Sequence, residues 1–240
     1  MKKGNYMELG HFGKEYAGEK AIISLTSWKA RINTVGLTIF NLLKTCPGFH
    51  IVLVLAEEEF PSKDAELPKP LVAMSNAGLF EILWVERNWK SFKKLLPTQS
   101  KYPQLPIIIA DDGILYKTNY AQVLYEEWLS NPSAIIASTT YTGYGITWGV
   151  GGAGIIFPPG VFASLYPRTL SKFVLDSNHD DAFYGVLAKK LGVAFKQSSK
   201  LNWSQIYTDT ADGLHTSMQS RHLYSDSIIP QLIKEVDSVW

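Results

Sequence analysis

The stretch PIIIADDGILY, Pro106 to Tyr116, runs three isoleucines and an alanine straight into two adjacent carboxylates and a glycine. A short apolar run bounded by Pro and Gly reads as a buried strand. Two charges at the mouth of such a strand cost desolvation unless a metal ion, a lysine or solvent meets them. Asp111 and Asp112 are therefore either an ordinary Asx-type turn or the carboxylate corner of a site.

Other apolar runs flank this one. Lys20–Ser27, His50–Ala56, Leu79–Glu86 and Ser133–Thr139 read as further strands, and segments of helical spacing lie between them. Residues 33–46 predict a helix capped by Asn33 or Thr34, 68–78 a short helix stopped at Gly78, 88–102 a basic helix and 118–131 another helix. Strands alternating with helices imply an α/β fold, a mostly parallel Rossmann-like sheet with helices on both faces. Ligands on such sheets gather at the carboxyl ends of the strands. Thr26/Ser27, Glu86/Arg87 and Asp111/Asp112 all fall there. Residues 139–162 are rich in Gly, Tyr and Trp and read as a loop and hairpin. No Pro/Ser-rich linker precedes them, so 1–240 is taken as one domain.

Composition narrows the function. Of 240 residues, 46% are hydrophobic, enough for a substantial core, and a net charge of +1 leaves no broad nucleic-acid footprint. An anionic ligand must then meet a local basic cluster. Cys46 is the single cysteine, so no internal disulfide forms and a buried thiol is expected. The first twenty residues lack the apolar core of a signal peptide, and no apolar run reaches membrane-span length. The expected location is the cytoplasm, with attachment to the inner face of the cytoplasmic membrane through a partner compatible with this.

Candidate cations cluster near the acidic pair. KSFKK supplies Lys90, Lys93 and Lys94 after the third strand, and TSWKARI supplies Lys29 and Arg31 after the first. A solvated face explains such runs in many proteins, whereas cations from two loops beside an acidic pair suit a diphosphate with a metal. NHDDAFYGVLAKKLG (Asn178–Gly192) carries a second pair, Asp180 and Asp181, at a helix start. They read either as favourable charges at the helix end or as a general base. GVGGAGIIFPPG (Gly149–Gly160) is a flexible hairpin or a place where backbone approaches a ligand closely. It is neither a dinucleotide fingerprint nor a Walker loop. His215 and His222 read as surface residues or as ligands completing a metal site begun at Asp112. Trp148, Trp203 and Tyr144 read as core aromatics or as stacking platforms.

SLTSWKARI, KSFKKLLPT, IIADDGILY, GVGGAGIIFPPG and HDDAFYGVLAKKLGV, in this order over roughly residues 22–193, resemble bacterial GT-A-fold glycosyltransferases that build capsule and lipopolysaccharide O-antigen chains. The resemblance implies a hexosyltransferase with a GT-A-like domain. Residues 20–139 would bind a nucleotide-diphosphate sugar, and 140–240 a saccharide or lipid-linked saccharide acceptor. It implies Mn²⁺ or Mg²⁺ held by a variant D-x-D motif, with Asp112 nearest the metal and Asp111 facing the ribose or a metal-bound water. Thr26, Lys29, Arg31, Lys94 and, second, Lys93 would serve the nucleotide or diphosphate. Trp148, Gly151 and Gly152 would line the sugar and acceptor pocket, and Asp181, or else Asp180, would be the acceptor base of an inverting displacement. The family often has a third Asp where this chain has Gly113, which leaves Asp112, with His215 or His222, to hold the metal, or else weakens metal dependence. Rival readings are a sugar nucleotidyltransferase, which would want a Gly-rich loop after the first strand, and a non-catalytic nucleotide-sugar-binding relative. A phospho-acceptor receiver would carry its acidic pair after the first strand and be much shorter.

Overall fold

The computed structural model describes residues 20–166, 170–201, 206–207 and 221–239. Five of its strands are β1 (Ile22–Thr26), β2 (His50–Ala56), β3 (Glu81–Val85), β4 (Ile107–Asp111) and β5 (Ile114–Leu115). The others are β6 (Ile135–Ala137), β7 (Thr140–Gly143), β8 (Ile146–Gly149), β9 (Ile155–Phe157), β10 (Phe195–Gln197) and β11 (Ile206–Tyr207). Helices are α1 (Val35–Thr45), α2 (Lys69–Asn76), α3 (Leu96–Lys101), α4 (Tyr120–Leu129), α5 (Lys172–Ser177), α6 (Asp180–Lys190) and α7 (Arg221–Val239).

Seven strands form one sheet in the order β10-β6-β9-β4-β1-β2-β3. Pairings β1–β2, β1–β4, β2–β3 and β6–β10 are parallel, and β9 lies antiparallel between β4 and β6. The α/β, mostly parallel architecture expected from the sequence is therefore present. Strand alternation builds the two core layers. Ile22, Ile107 and Ile109 point to one face with Leu96, Val174, Phe183, Leu187 and Leu232, so α3, α5, α6 and α7 cover it. Ile23, Leu25, Ile108 and Ala110 point to the other, covered by α1, α2 and α4 through Val35, Ile39, Leu71 and Leu124. Burial on both faces is why β4 reads as an unbroken apolar run. Each of its isoleucines is wholly buried, worth about 2 kcal/mol against exposure.

Four local expectations change. Residues 88–102 do not form one helix: a 3-10 turn at Lys90–Lys94 precedes α3, because in a continuous helix the Pro97 ring would collide with the carbonyl of residue 93. Thr34 precedes α1 without capping it, its hydroxyl donating to the Arg31 carbonyl instead. The strand β6 does not extend the parallel series from β4, since β9 intervenes. The Gly-rich stretch 149–160 is not itself a hairpin but a 3-10 turn at Gly151–Ala153 leading into β9. The hairpin lies just ahead of it, β7–β8, turned by Tyr144 and Gly145, both at positive φ (52° and 71°), as a two-residue primed turn requires. The long helix α7 has a signal in Ile229, Leu232 and Val236, whose spacing puts them on one buried stripe.

Candidate active site

The carboxyl ends of β1 and β4 lie side by side, with Thr26 in register with Asp111. The chain leaves β4 into a turn at Asp112 and Gly113, and both carboxylates meet side chains from other segments. Asp111 Oδ1 accepts from Lys94 Nζ at 2.8 Å. Asp112 Oδ1 lies 3.2 Å from Arg31 Nε, and its Oδ2 accepts from Ser27 Oγ at 2.6 Å. Thr38 Oγ1 donates to the Asp112 carbonyl at 2.8 Å. Both oxygens of Asp112 are thus engaged by the chain's own groups.

Lys94 links the two acidic pairs. Its ammonium also lies 3.4 Å from Asp180 Oδ2, and its side chain is 6% exposed against 8% for Asp180. Burial opposes its charge, but Asp111, Asp180 and Asp181 outweigh burial and hold its pKa well above the usual lysine value. Asp180 and Asp181 stand in the first turn of α6 without capping it. Asp181 Oδ2 accepts from the Gly151 N–H at 2.9 Å, while its Oδ1 is sealed from water and has no hydrogen-bond partner among the described residues. Burial, then the neighbouring Asp180 charge, raises the Asp181 pKa to about 7, Lys94 pulling the other way. Asp112 is also raised, chiefly by burial, with Ser27 and Arg31 opposing.

The glycines have a steric reason. A β-carbon on Gly151 would lie 2.7 Å from Asp181 Oδ1, and one on Gly152 2.6 Å from Asp111 Oδ2. The Gly-rich turn therefore lets backbone close over the two acidic pairs, a close approach as expected, made here to carboxylates of the chain itself. Tyr116 fastens this turn to β4. Its hydroxyl accepts from the Asp111 N–H at 2.8 Å and donates to the Gly152 carbonyl at 3.2 Å. Sequence reasoning missed Tyr116, which reads simply as an apolar residue after a turn. Ser27 was visible only as a strand-end neighbour of Thr26.

The side chains of the other candidates make their contacts elsewhere. The Thr26 hydroxyl donates to the Val54 carbonyl at 2.7 Å. Lys29, 68% exposed, pairs with Glu66 at 3.3 Å. Lys93 is buried, but its ammonium donates to Glu59 Oε2 at 2.5 Å, and burial lowers its pKa. Trp148 lies on β8, its ring centroid 6.2 Å from that of Tyr141. Trp203 and His215 lie outside the described residues, as does the side chain of His222.

A divalent ion was expected at Asp111 and Asp112. Among the described residues no three His, Cys, Asp or Glu side chains are arranged to hold a metal ion. Asp111 Oδ1 and both oxygens of Asp112 instead meet Lys94, Arg31 and Ser27. The described residues therefore do not fit a bound metal in this arrangement.

No known family matches the chain in sequence, and no curated protein does. In fold it is similar to the mannosyltransferase PcManGT from Pyrobaculum calidifontis, solved in complex with GDP-Man and Mn²⁺, with a TM-score of 0.60 at 13% identity. The alignment covers 90% of this chain and 64% of that one, so the chain spans under two thirds of the length of its structural neighbour. The chain thus has the single-domain, GT-A-like α/β fold expected from its sequence.

Proposed function

We propose that the chain is a glycosyltransferase that moves a sugar from a nucleotide-diphosphate sugar to a hydroxyl of a growing surface polysaccharide or glycolipid. The observation that carries this reading is the meeting of two acidic pairs, Asp111–Asp112 and Asp180–Asp181, with Lys94 at the carboxyl edge of a GT-A-like sheet. A nucleotide sugar is the donor class named in the structural neighbour's complex.

Asp181 is the acceptor base. A carboxyl group with its pKa near 7 is half ionised at neutral pH and accepts a hydroxyl proton with a useful driving force. The deprotonated oxygen then attacks the anomeric carbon as the bond to the diphosphate breaks, a single displacement that inverts the anomeric centre. Arg31 faces the charge that develops on the leaving diphosphate. Lys94 holds Asp111 and Asp180 in place. Within the domain, residues 20–139 serve the donor, and 140–240 bring the acceptor and the base. Strands β9 and β10 of the second part complete the same sheet, so the two parts are roles within one unit. No helix of the described residues is long and apolar enough to cross a membrane. Action at the inner face of the cytoplasmic membrane, through a partner or the lipid-linked acceptor, completes the reading.

The test is a panel of nucleotide sugars with simple saccharide acceptors, read as nucleoside diphosphate release and sugar transfer. Transfer that disappears in Asp181→Asn supports the reading. Pyrophosphate release from a sugar 1-phosphate and a nucleoside triphosphate would replace it with a nucleotidyltransferase.

A further inference from the structure

Gly113 stands where the family resemblance puts a third aspartate, and the structure shows what fills the space. A β-carbon built on Gly113 would lie 1.8 Å from Arg31 Nη2 and 2.9 Å from the guanidinium carbon. Those separations are far inside van der Waals contact. The position that would launch a metal-ligating carboxylate is occupied by a cation. Arg31 is 7% exposed, and its Nη2 is buried without a hydrogen-bond acceptor among the described residues. A buried donor left unsatisfied is costly, more so when charged, and an anionic ligand would recover that cost.

We infer that Arg31, lying over Gly113, takes the place of the divalent cation in the donor site, so that the nucleoside diphosphate binds without a metal. This inference rests on the glycosyltransferase reading and concerns the same site. Two independent features agree. The residue able to supply a third carboxylate is absent, and any side chain there would displace the guanidinium. Asp112, the next candidate ligand, has Oδ1 beside Arg31 and Oδ2 on Ser27, so a metal on either oxygen would have to compete with one of these contacts. An arginine can meet a diphosphate with parallel N–H donors in a way that a lysine cannot. The guanidinium is already buried and oriented before the donor arrives, as charge stabilisation of a leaving group requires.

The experiment is calorimetric titration of the full chain with UDP and with GDP, in EDTA and again in excess Mn²⁺. The expected result is a dissociation constant that differs by no more than about twofold between the two conditions, for whichever nucleotide binds. Arg31→Ala is expected to weaken that binding tenfold or more. Arg31→Ala combined with Gly113→Asp is expected to make it depend on Mn²⁺. Should either variant fail to fold, the wild-type comparison decides alone. Binding at least tenfold tighter with Mn²⁺ overturns this inference and leaves the glycosyltransferase reading intact. Binding of neither nucleotide in either condition overturns this inference, while transfer from the nucleotide-sugar panel judges the glycosyltransferase reading separately.

Discussion

Lys94 Nζ lies 3.4 Å from Asp180 Oδ2, an ion pair that ties the 3-10 turn after β3 to the first turn of α6. The same ammonium donates to Asp111 at the end of β4. One buried cation therefore joins three segments distant in sequence. Removing it would leave carboxylates facing one another in a region poor in water. Lys94→Met is expected to destabilise the fold by about 3–5 kcal/mol, as loss of one partner of a buried pair does. Urea unfolding followed by circular dichroism measures this. A loss below about 1 kcal/mol would show that the acidic pairs do not depend on Lys94.

Asp181 couples stability and activity to pH in opposite directions. Its folded-state pKa, about 7, lies above the ordinary aspartate value of 3.8. Between those values the native state holds a proton that the unfolded chain has lost. Stability from this group is complete below about pH 4 and falls as pH rises toward and through about 7. Transfer by a carboxylate base should rise over the approach to that same pH. Asp181→Asn should flatten the fall in melting temperature between pH 4 and 7 and cut transfer by about 10²–10⁴-fold. Thermal unfolding across pH and a transfer assay read the two effects separately. A variant that keeps full transfer removes Asp181 from the chemistry.

Gly113 should tolerate no side chain while Arg31 is present. Gly113→Ala would drive its methyl group into the guanidinium, with a cost of about 1–3 kcal/mol as strain or as loss of the Arg31–Asp112 pair. In an Arg31→Ala background the same substitution should cost far less. A double-mutant cycle from denaturant unfolding gives the interaction directly. Additive effects would mean that the two residues do not compete for this space.

The Tyr116 hydroxyl is expected to matter more than its ring. Tyr116→Phe keeps the stacking on Tyr120, whose centroid is 4.4 Å away, but removes the acceptor for Asp111 N–H and the donor to the Gly152 carbonyl. A loss of about 1–3 kcal/mol is expected, that of buried polar groups left unsatisfied. Amide hydrogen exchange should locate the loosening at Asp111 and Gly151–Ala153. Unchanged protection at these positions would refute the clamp.

Much of the sheet was legible before the structure. Four of its five first-read strands announce themselves because burial on both faces demands unbroken apolar runs, as in Pro106–Ala110, while β3 lies at the sheet edge and is only partly buried. The antiparallel insertion of β9 was not legible. Three residues, Ile155–Phe157, carry the same apolar signal whichever way they run. The break between Lys94 and Leu96 was available in Pro97, but the basic residues around it disguised a buried turn as a surface helix.

At the site, the sequence by itself determined which residue types stand at the carboxyl edge: an acidic pair after β4, cations after β1 and β3, a second acidic pair at a helix start. Strand ends and helix starts are local events, set by apolar period and turn residues, so position along the chain suffices to place them. Only the tertiary structure decided which charge meets which. It sent Lys29 to Glu66 at the surface and Lys93 to Glu59, and it kept Lys94 and Arg31 for the aspartates. It also explained Gly113, which in the sequence is only a missing carboxylate and in the fold is the space that Arg31 needs. Pairing of buried charges depends on distances between segments far apart in the chain, and no local pattern encodes them.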